Sequence, residues 1–157
     1  MTFLVIFGLI MAAFFAVVFF SKGRVGIPIL AMSAGAMLAS MWVGDLTPLI
    51  ASVGIIIVQP PLESLVAAAM TLLPAVLLSS RGSSYSALYE RIFGGVVFAL
   101  FATALLLPTI GSALVVDGTA RPIYDFFVQY RTIIVTTGLV IGVFDLLFFK
   151  TAKHAKH

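Results

Sequence analysis

Long apolar runs separated by short polar segments set the pattern of this chain. The run from Tyr89 to Leu107 opens with Glu90 and Arg91 and then continues without a charge until Asp117. About 20 consecutive apolar residues are enough for a helix to cross the hydrocarbon core of a bilayer. The pattern therefore predicts a transmembrane helix, over about residues 92–110.

Four further apolar runs predict four more transmembrane helices, which makes five in all. They cover about residues 2–20, 26–44, 64–80 and 132–149. The first run differs from a secretory signal peptide, because Lys22 and Arg24 follow its apolar residues instead of preceding them. We therefore expect it to remain in the protein as a helix.

Two segments have patterns that do not predict a full crossing. Residues 46–58 are apolar, but at about 1.5 Å per residue a helix of this length reaches only about 20 Å. The Pro60-Pro61 pair follows, and we expect a re-entrant or interfacial segment. In residues 121–131, aromatic and apolar side chains recur at i, i+3, i+4 and i+7, which indicates an amphipathic helix lying in the membrane plane.

The predicted fold class is therefore an all-α integral membrane protein, a single polytopic domain over residues 1–157. It has five transmembrane helices, a short re-entrant or interfacial segment and one amphipathic interfacial helix. Composition agrees, since 62% of the residues are hydrophobic, 10% are charged, and the mean hydropathy is +1.21. These values lie far outside the usage of soluble domains, so the bilayer is the expected solvent.

Small residues recur four positions apart within the spans, where they let a neighbouring helix approach closely. In the fourth span Gly95, Ala99 and Thr103 form such a stripe, and we expect the other helices to pack against it. The glycines expected at helix contacts are Gly35, Gly94, Gly95, Gly138 and Gly142. Such packing predicts assembly with lipid around it, as a homo-oligomer or with partner membrane proteins.

The distribution of lysine and arginine predicts the orientation, because cytoplasmic loops carry the excess of these residues. With the amino terminus outside, the cytoplasmic side holds Lys22, Arg24, Arg81, Arg91, Lys150, Lys153 and Lys156. Only Arg121 and Arg131 then lie outside. A full crossing by residues 46–58 would separate Lys22 and Arg24 from the other cytoplasmic cations. We expect a multi-pass inner-membrane protein with a cytoplasmic carboxyl terminus.

Asp145 is the one charge inside a predicted span, and it shares a helix face with Gly138 and Gly142. A carboxylate within a membrane is a candidate functional group, here a proton or cation relay partnered by Arg91 or Arg81. The alternative is a structural acid near the cytoplasmic end, which reaches water or pairs with a loop arginine.

Glu90 and Arg91 are the second polar candidate, either as a paired site facing a pore or as headgroup-layer anchors that fix the depth of the helix. Other chemistry has little support in the sequence. It contains no cysteine, and its histidines, His154 and His157, are too few to close a zinc site. We therefore expect no enzyme activity, no metal, no cofactor and no nucleic-acid partner, since the net charge of +3 fits cytoplasmic loops.

The order of these features resembles the colicin V production proteins. The first span ends in a basic, glycine-containing loop, Lys22–Gly26, and the fourth opens with an acid-arginine pair followed by glycines, Glu90–Gly95. An aromatic amphipathic segment, Tyr124–Phe127, comes afterwards, so the resemblance covers roughly Thr2–Arg131. Two features depart from it: the fourth span lacks a second basic-glycine element, and the fifth span is additional.

Two functional hypotheses follow. The resemblance implies a non-enzymatic inner-membrane component linked to peptide or toxin export and to envelope assembly. The alternative from the residues themselves is a small homo-oligomeric channel or transporter subunit with Asp145 near its pathway.

Overall fold

The computed structural model describes residues 2–21, 24–54, 61–79, 88–113 and 121–151, and these ranges are helical with no strand. The helices are α1 Thr2–Ser21, α2 Gly26–Ser52, α3 Leu62–Ser79, α4 Leu88–Ala113 and α5 Arg121–Thr151. Four of them, all except α3, are long and apolar enough to cross a membrane. The prediction of an all-helical chain compatible with a multi-pass membrane protein is therefore confirmed for the described residues.

Helix α4 is the centre of the bundle, because each of the other four helices contacts it. Its small residues are fully covered: Gly95 is buried, Ala99 is 3% exposed and Thr103 is 0% exposed. A Cβ atom added to Gly95 would lie 2.8 Å from the ring of Phe15 in α1. The ring of Phe15 therefore occupies the space that a side chain at position 95 would need.

Successive helices run in alternating directions, which gives the bundle two distinct ends. The Asp145 end is the one at which α2 begins and α5 finishes, and there Gly26 contacts Asp145. At the opposite end, which we call the Arg131 end, α1 and α5 begin. There the ring of Phe7 lies edge-on to that of Phe127, with 5.2 Å between centroids.

Helix α2 is longer than the sequence pattern predicted, since it continues through Asp45 as far as Ser52. Most of the segment predicted as re-entrant or interfacial therefore extends this helix, and its last four residues lie outside the described part of the chain. Pro48 removes only one backbone donor, and beside it the Thr47 hydroxyl donates to the carbonyl oxygen four residues earlier at 2.7 Å. The helix terminates just before Gly54, whose φ of 91° suits glycine.

Helix α5 is one unbroken helix, whereas the sequence predicted an interfacial helix over 121–131 and a separate span over 132–149. Nothing in the sequence interrupts it there, because Pro122 lies in the first turn and the next glycine is Gly138. At about 1.5 Å per residue its 31 residues extend for about 46 Å, more than the thickness of the hydrocarbon core.

Candidate functional site: Asp145 and Arg131 on α5

Asp145 caps the beginning of another helix. Its side chain is 7% exposed, and its Oδ2 atom accepts a hydrogen bond of 3.0 Å from the backbone N–H of Gly26. Gly26 is the first residue of α2, where backbone N–H groups have no acceptor within the helix. Helix α2 has no acid in its own first turn and no side-chain cap from Val25. Asp145 supplies the missing acceptor from α5, with its negative charge at the positive end of the helix dipole.

Two glycines make this contact possible. A Cβ atom on Gly26 would lie 2.6 Å from the carbonyl oxygen of Gly142 and 2.7 Å from Cγ of Leu146. One on Gly142 would lie 2.9 Å from Cγ2 of Ile29. Helices α2 and α5 therefore approach so closely that the carboxylate reaches the Gly26 backbone, and no space for a ligand remains between them there.

The sequence analysis expected Arg91 or Arg81 to partner Asp145, and for Arg91 this stays a prediction. Arg91 and Glu90 are half-buried near the beginning of α4. Arg81 lies outside the described residues. The structure thus brings Asp145 to Gly26, a residue the sequence analysis did not name as its partner.

Gly35 lies at the contact between α2 and α3. A Cβ atom there would lie 2.6 Å from the carbonyl oxygen of Met70 and 2.7 Å from that of Thr71. The Met70 carbonyl would normally accept from the residue four positions later, which is Pro74 and has no N–H. The glycine therefore meets α3 at a carbonyl without its usual helical donor.

Gly138 lies against α4, where its missing side chain makes room for Phe101. A Cβ atom on Gly138 would lie 2.6 Å from the ring of that phenylalanine, which is itself 0% exposed. Gly142 lies one turn further along α5 and faces α2 instead, so the two glycines of the GxxxG arrangement contact different helices within this chain. Gly94, the remaining glycine of the sequence-based set, is buried in α4.

Arg131 is a second α5 charge with a specific contact, and the sequence analysis did not include it among the candidates. Its Nε atom donates to the backbone carbonyl oxygen of Ala104 in α4 at 3.1 Å. The normal donor to that carbonyl would be the N–H of residue 108, which is proline and has none. Arg131 of α5 therefore supplies to α4 the hydrogen bond that Pro108 removes. A proline inside a predicted span was the sequence signal for such a donor.

A cleft of about 750 Å³ opens beside Arg131 between α2, α3, α4 and α5. The polar residues that line it are Ser40, Glu63, Ser64, Thr71, Thr109 and Arg131. Glu63 is exposed in the first turn of α3, and it forms no ion pair with Arg131 in the described structure. Arg131 thus borders an open cleft, whereas the Asp145 carboxylate is closed in by the contact between α2 and α5.

The spacing of the two charges sets their depth. Arg131 and Asp145 are 14 residues apart, which corresponds to about 21 Å along α5. A hydrocarbon core is about 30 Å thick, so at least one of the two lies within it when α5 crosses a bilayer.

Comparisons of the chain with protein-family models, with curated proteins and with solved structures found no match. The function must therefore be inferred from the residues of this chain.

Proposed function

We propose that this chain is a non-enzymatic inner-membrane component that acts in peptide or toxin export or in envelope assembly, as its resemblance to the colicin V production proteins implies. The observation that carries the proposal is the structural role of Asp145, which joins α5 to α2. This buried carboxylate binds the Gly26 backbone in a contact closed by glycine, so it holds two helices together. A charge used in this way suits a component that acts by assembling with other proteins.

The surface of α1 supports assembly. Only 11% of its apolar segment Leu4–Ser21 is buried inside the bundle. A Cβ atom on Gly8 would meet nothing within 4 Å, and Ala12, one turn later, is also exposed. This face is available for close approach by a transmembrane helix of a second copy or of another membrane protein, with lipid covering the rest of the surface.

The proposed topology has five crossings, the amino terminus outside and the carboxyl terminus in the cytoplasm. Helix α3 is the shortest crossing, with 18 residues or about 27 Å, close to the thickness of the hydrocarbon core. The excess of lysine and arginine supports the cytoplasmic assignment of the Asp145 end.

The test is a host strain that lacks the chain, in which secretion of an exported peptide and envelope integrity are measured. We expect secretion and envelope integrity to be impaired in this strain. Wild type and Gly44→Ala should restore both, because a Cβ atom at Gly44 meets nothing within 4 Å. Asp145→Leu should restore neither. Photo-crosslinking from position 8 should capture a membrane protein or a second copy. Normal secretion and integrity without the chain would rule the proposal out.

A channel or transporter subunit is the second candidate, and the open cleft at the Arg131 end favours it. Ion flux into liposomes that contain wild type or Asp145→Asn separates the two candidates. Flux that depends on the carboxylate would support the channel, and no flux from either protein would eliminate it.

A further inference from the structure

We propose that the cleft at the Arg131 end binds an oxyanion, a carboxylate or phosphate group of a small ligand, with the Arg131 guanidinium as its anchor. This inference goes beyond the proposed function, which requires no ligand. It depends on the contact of Arg131 with Ala104 and on the cleft beside it.

The contact with Ala104 uses only part of the guanidinium. An arginine side chain carries five N–H donors in a planar fork. The Nε donor of Arg131 is bound to the Ala104 carbonyl, whereas its two terminal amino groups take no described carboxylate as an ion-pair partner. These paired amino groups match the two oxygens of a carboxylate or phosphate. The side chain is half-buried, so an oxyanion in the cleft would meet a partly desolvated cation.

The Ala104 contact also holds the guanidinium in position before any ligand arrives. The carbonyl belongs to a helix packed at the centre of the bundle, and Pro108 leaves it without a competing donor. A side chain fixed in this way loses little further conformational freedom on binding, which favours affinity.

The dimensions and lining of the cleft suit a small ligand. Its volume of about 750 Å³ lies in the range of small-molecule sites, about 300–1,000 Å³. Both hydroxyl-bearing and apolar side chains line it, with Ser40 and Thr109 among the polar members and Ala36 and Ala39 among the apolar ones. A phospholipid headgroup and a soluble anion present the same oxyanion chemistry, and experiment can distinguish these sources.

Glu63 also lines the cleft, and its structural role is clear. Its negative charge lies in the first turn of α3, at the positive end of that helix dipole. The acid would repel an anion, although its exposure weakens that effect. Glu63→Gln is therefore expected to leave oxyanion affinity unchanged or to raise it about twofold.

The decisive variants separate the ligand role of Arg131 from its support of α4. Arg131→Gln alone is ambiguous, because Ala104 could lose its donor. Pro108→Ala restores a backbone N–H for that carbonyl, so Arg131→Gln in the Pro108→Ala background removes the guanidinium without leaving Ala104 unsatisfied. Arg121→Gln is the matched control, since Arg121 is exposed on the same helix and does not line the cleft.

Full-length protein in an uncharged maltoside detergent is titrated in two arms, one with inorganic phosphate or acetate and one with short-chain phosphatidylglycerol. Isothermal titration calorimetry measures binding in both arms, and native mass spectrometry counts bound lipid. We expect saturable binding by wild type and also by Pro108→Ala, with lower affinity in the variant because Ala104 gains a backbone donor that competes with Arg131 Nε. The double variant should bind at least about tenfold more weakly than Pro108→Ala, and Arg121→Gln within about twofold of wild type.

Saturation in either arm, with the tenfold loss confined to the double variant, supports the proposal and identifies a solute or a lipid headgroup as the source. No saturable binding in both arms, equal affinity of Pro108→Ala and the double variant, or weaker oxyanion binding by Glu63→Gln would each overturn it. None of these outcomes depends on secretion or envelope integrity, so the site and the proposed function can fail separately.

Discussion

Each end of the bundle holds one α5 charge, Asp145 or Arg131, that satisfies a backbone group of another helix. Asp145 accepts from the N–H of Gly26 at the beginning of α2, and Arg131 donates to the Ala104 carbonyl that Pro108 leaves without a donor. The surroundings differ, because Asp145 is 7% exposed among close glycine contacts, whereas Arg131 borders a cleft. The same structural task therefore leaves one charge closed to ligands and the other open.

Glycine and proline account for this difference. At the Asp145 end, Gly26 and Gly142 let two helices approach until backbone and side chain meet. At the Arg131 end, Pro61 and Pro108 line the cleft, and a proline leaves a carbonyl without a donor while keeping a bulky ring. At either end an unsatisfied backbone group would be costly within a bilayer, since no water is present there to pair with it.

The largest effect is expected from Gly26→Ala. Its Cβ atom would overlap the Gly142 backbone and press on Asp145 Oδ2, at 3.1 Å, so we expect about 3 kcal/mol lower stability. Gly44→Ala is the control, because nothing lies near its Cβ position, and it should change stability by less than about 1 kcal/mol. Denaturant titration in detergent micelles, followed by circular dichroism, measures both. Equal stability of the two variants would contradict the closed contact at the Asp145 end.

A smaller loss is expected when the carboxylate is replaced. Asp145→Leu leaves the Gly26 N–H buried without an acceptor, which costs about 2 kcal/mol. Asp145→Asn keeps an oxygen acceptor and loses only the charge at the helix terminus, so its cost is about 1 kcal/mol or less. The same titration should rank the two variants in this order. Equal losses in the two variants would mean that the charge, and not the acceptor, is what α2 requires.

At the Arg131 end, we expect Pro108→Ala to remove the loss of stability that Arg131→Gln causes. Arg131→Gln alone should lower stability by about 1 kcal/mol, because the Ala104 carbonyl loses its donor. In the Pro108→Ala background the same change should cost close to nothing, since the helix now supplies that donor. A double-mutant cycle on the four proteins measures the coupling. Additive losses would show that Arg131 does not support α4 through this carbonyl.

Much of the helical framework was predictable, because the lengths of the apolar runs determine it. The predicted spans 2–20 and 64–80 differ from α1 and α3 by two residues or fewer at each terminus. Asp45 and Arg131 were treated as boundaries because they are charged, yet the backbone hydrogen bonds of α2 and α5 continue through them. A charged residue marks the end of an apolar run, which need not be the end of a helix.

The contacts of the two charges were harder to predict. Gly26 lies 119 residues from Asp145, and its backbone N–H gives no side-chain signal that would pair the two. The partner of Arg131 is likewise a backbone carbonyl, which only the proline four residues later distinguishes. The five-span count and the orientation stay predictions, because apolar length shows which helices are able to cross a bilayer and not which side each end occupies.

The smallest change in stability is expected midway between the two ends. The earlier variants lower stability, whereas this one is expected to leave it nearly unchanged or to raise it. The Thr103 hydroxyl is buried at the centre of α4 and has no hydrogen-bond partner in the described residues. Thr103→Val replaces it with a methyl group of similar size, so stability should stay within about 0.5 kcal/mol or rise by up to about 1 kcal/mol. The same denaturant titration applies. A loss above about 1 kcal/mol would mean that the hydroxyl serves a backbone group as Asp145 and Arg131 do, and the contrast between the ends and the centre would then disappear.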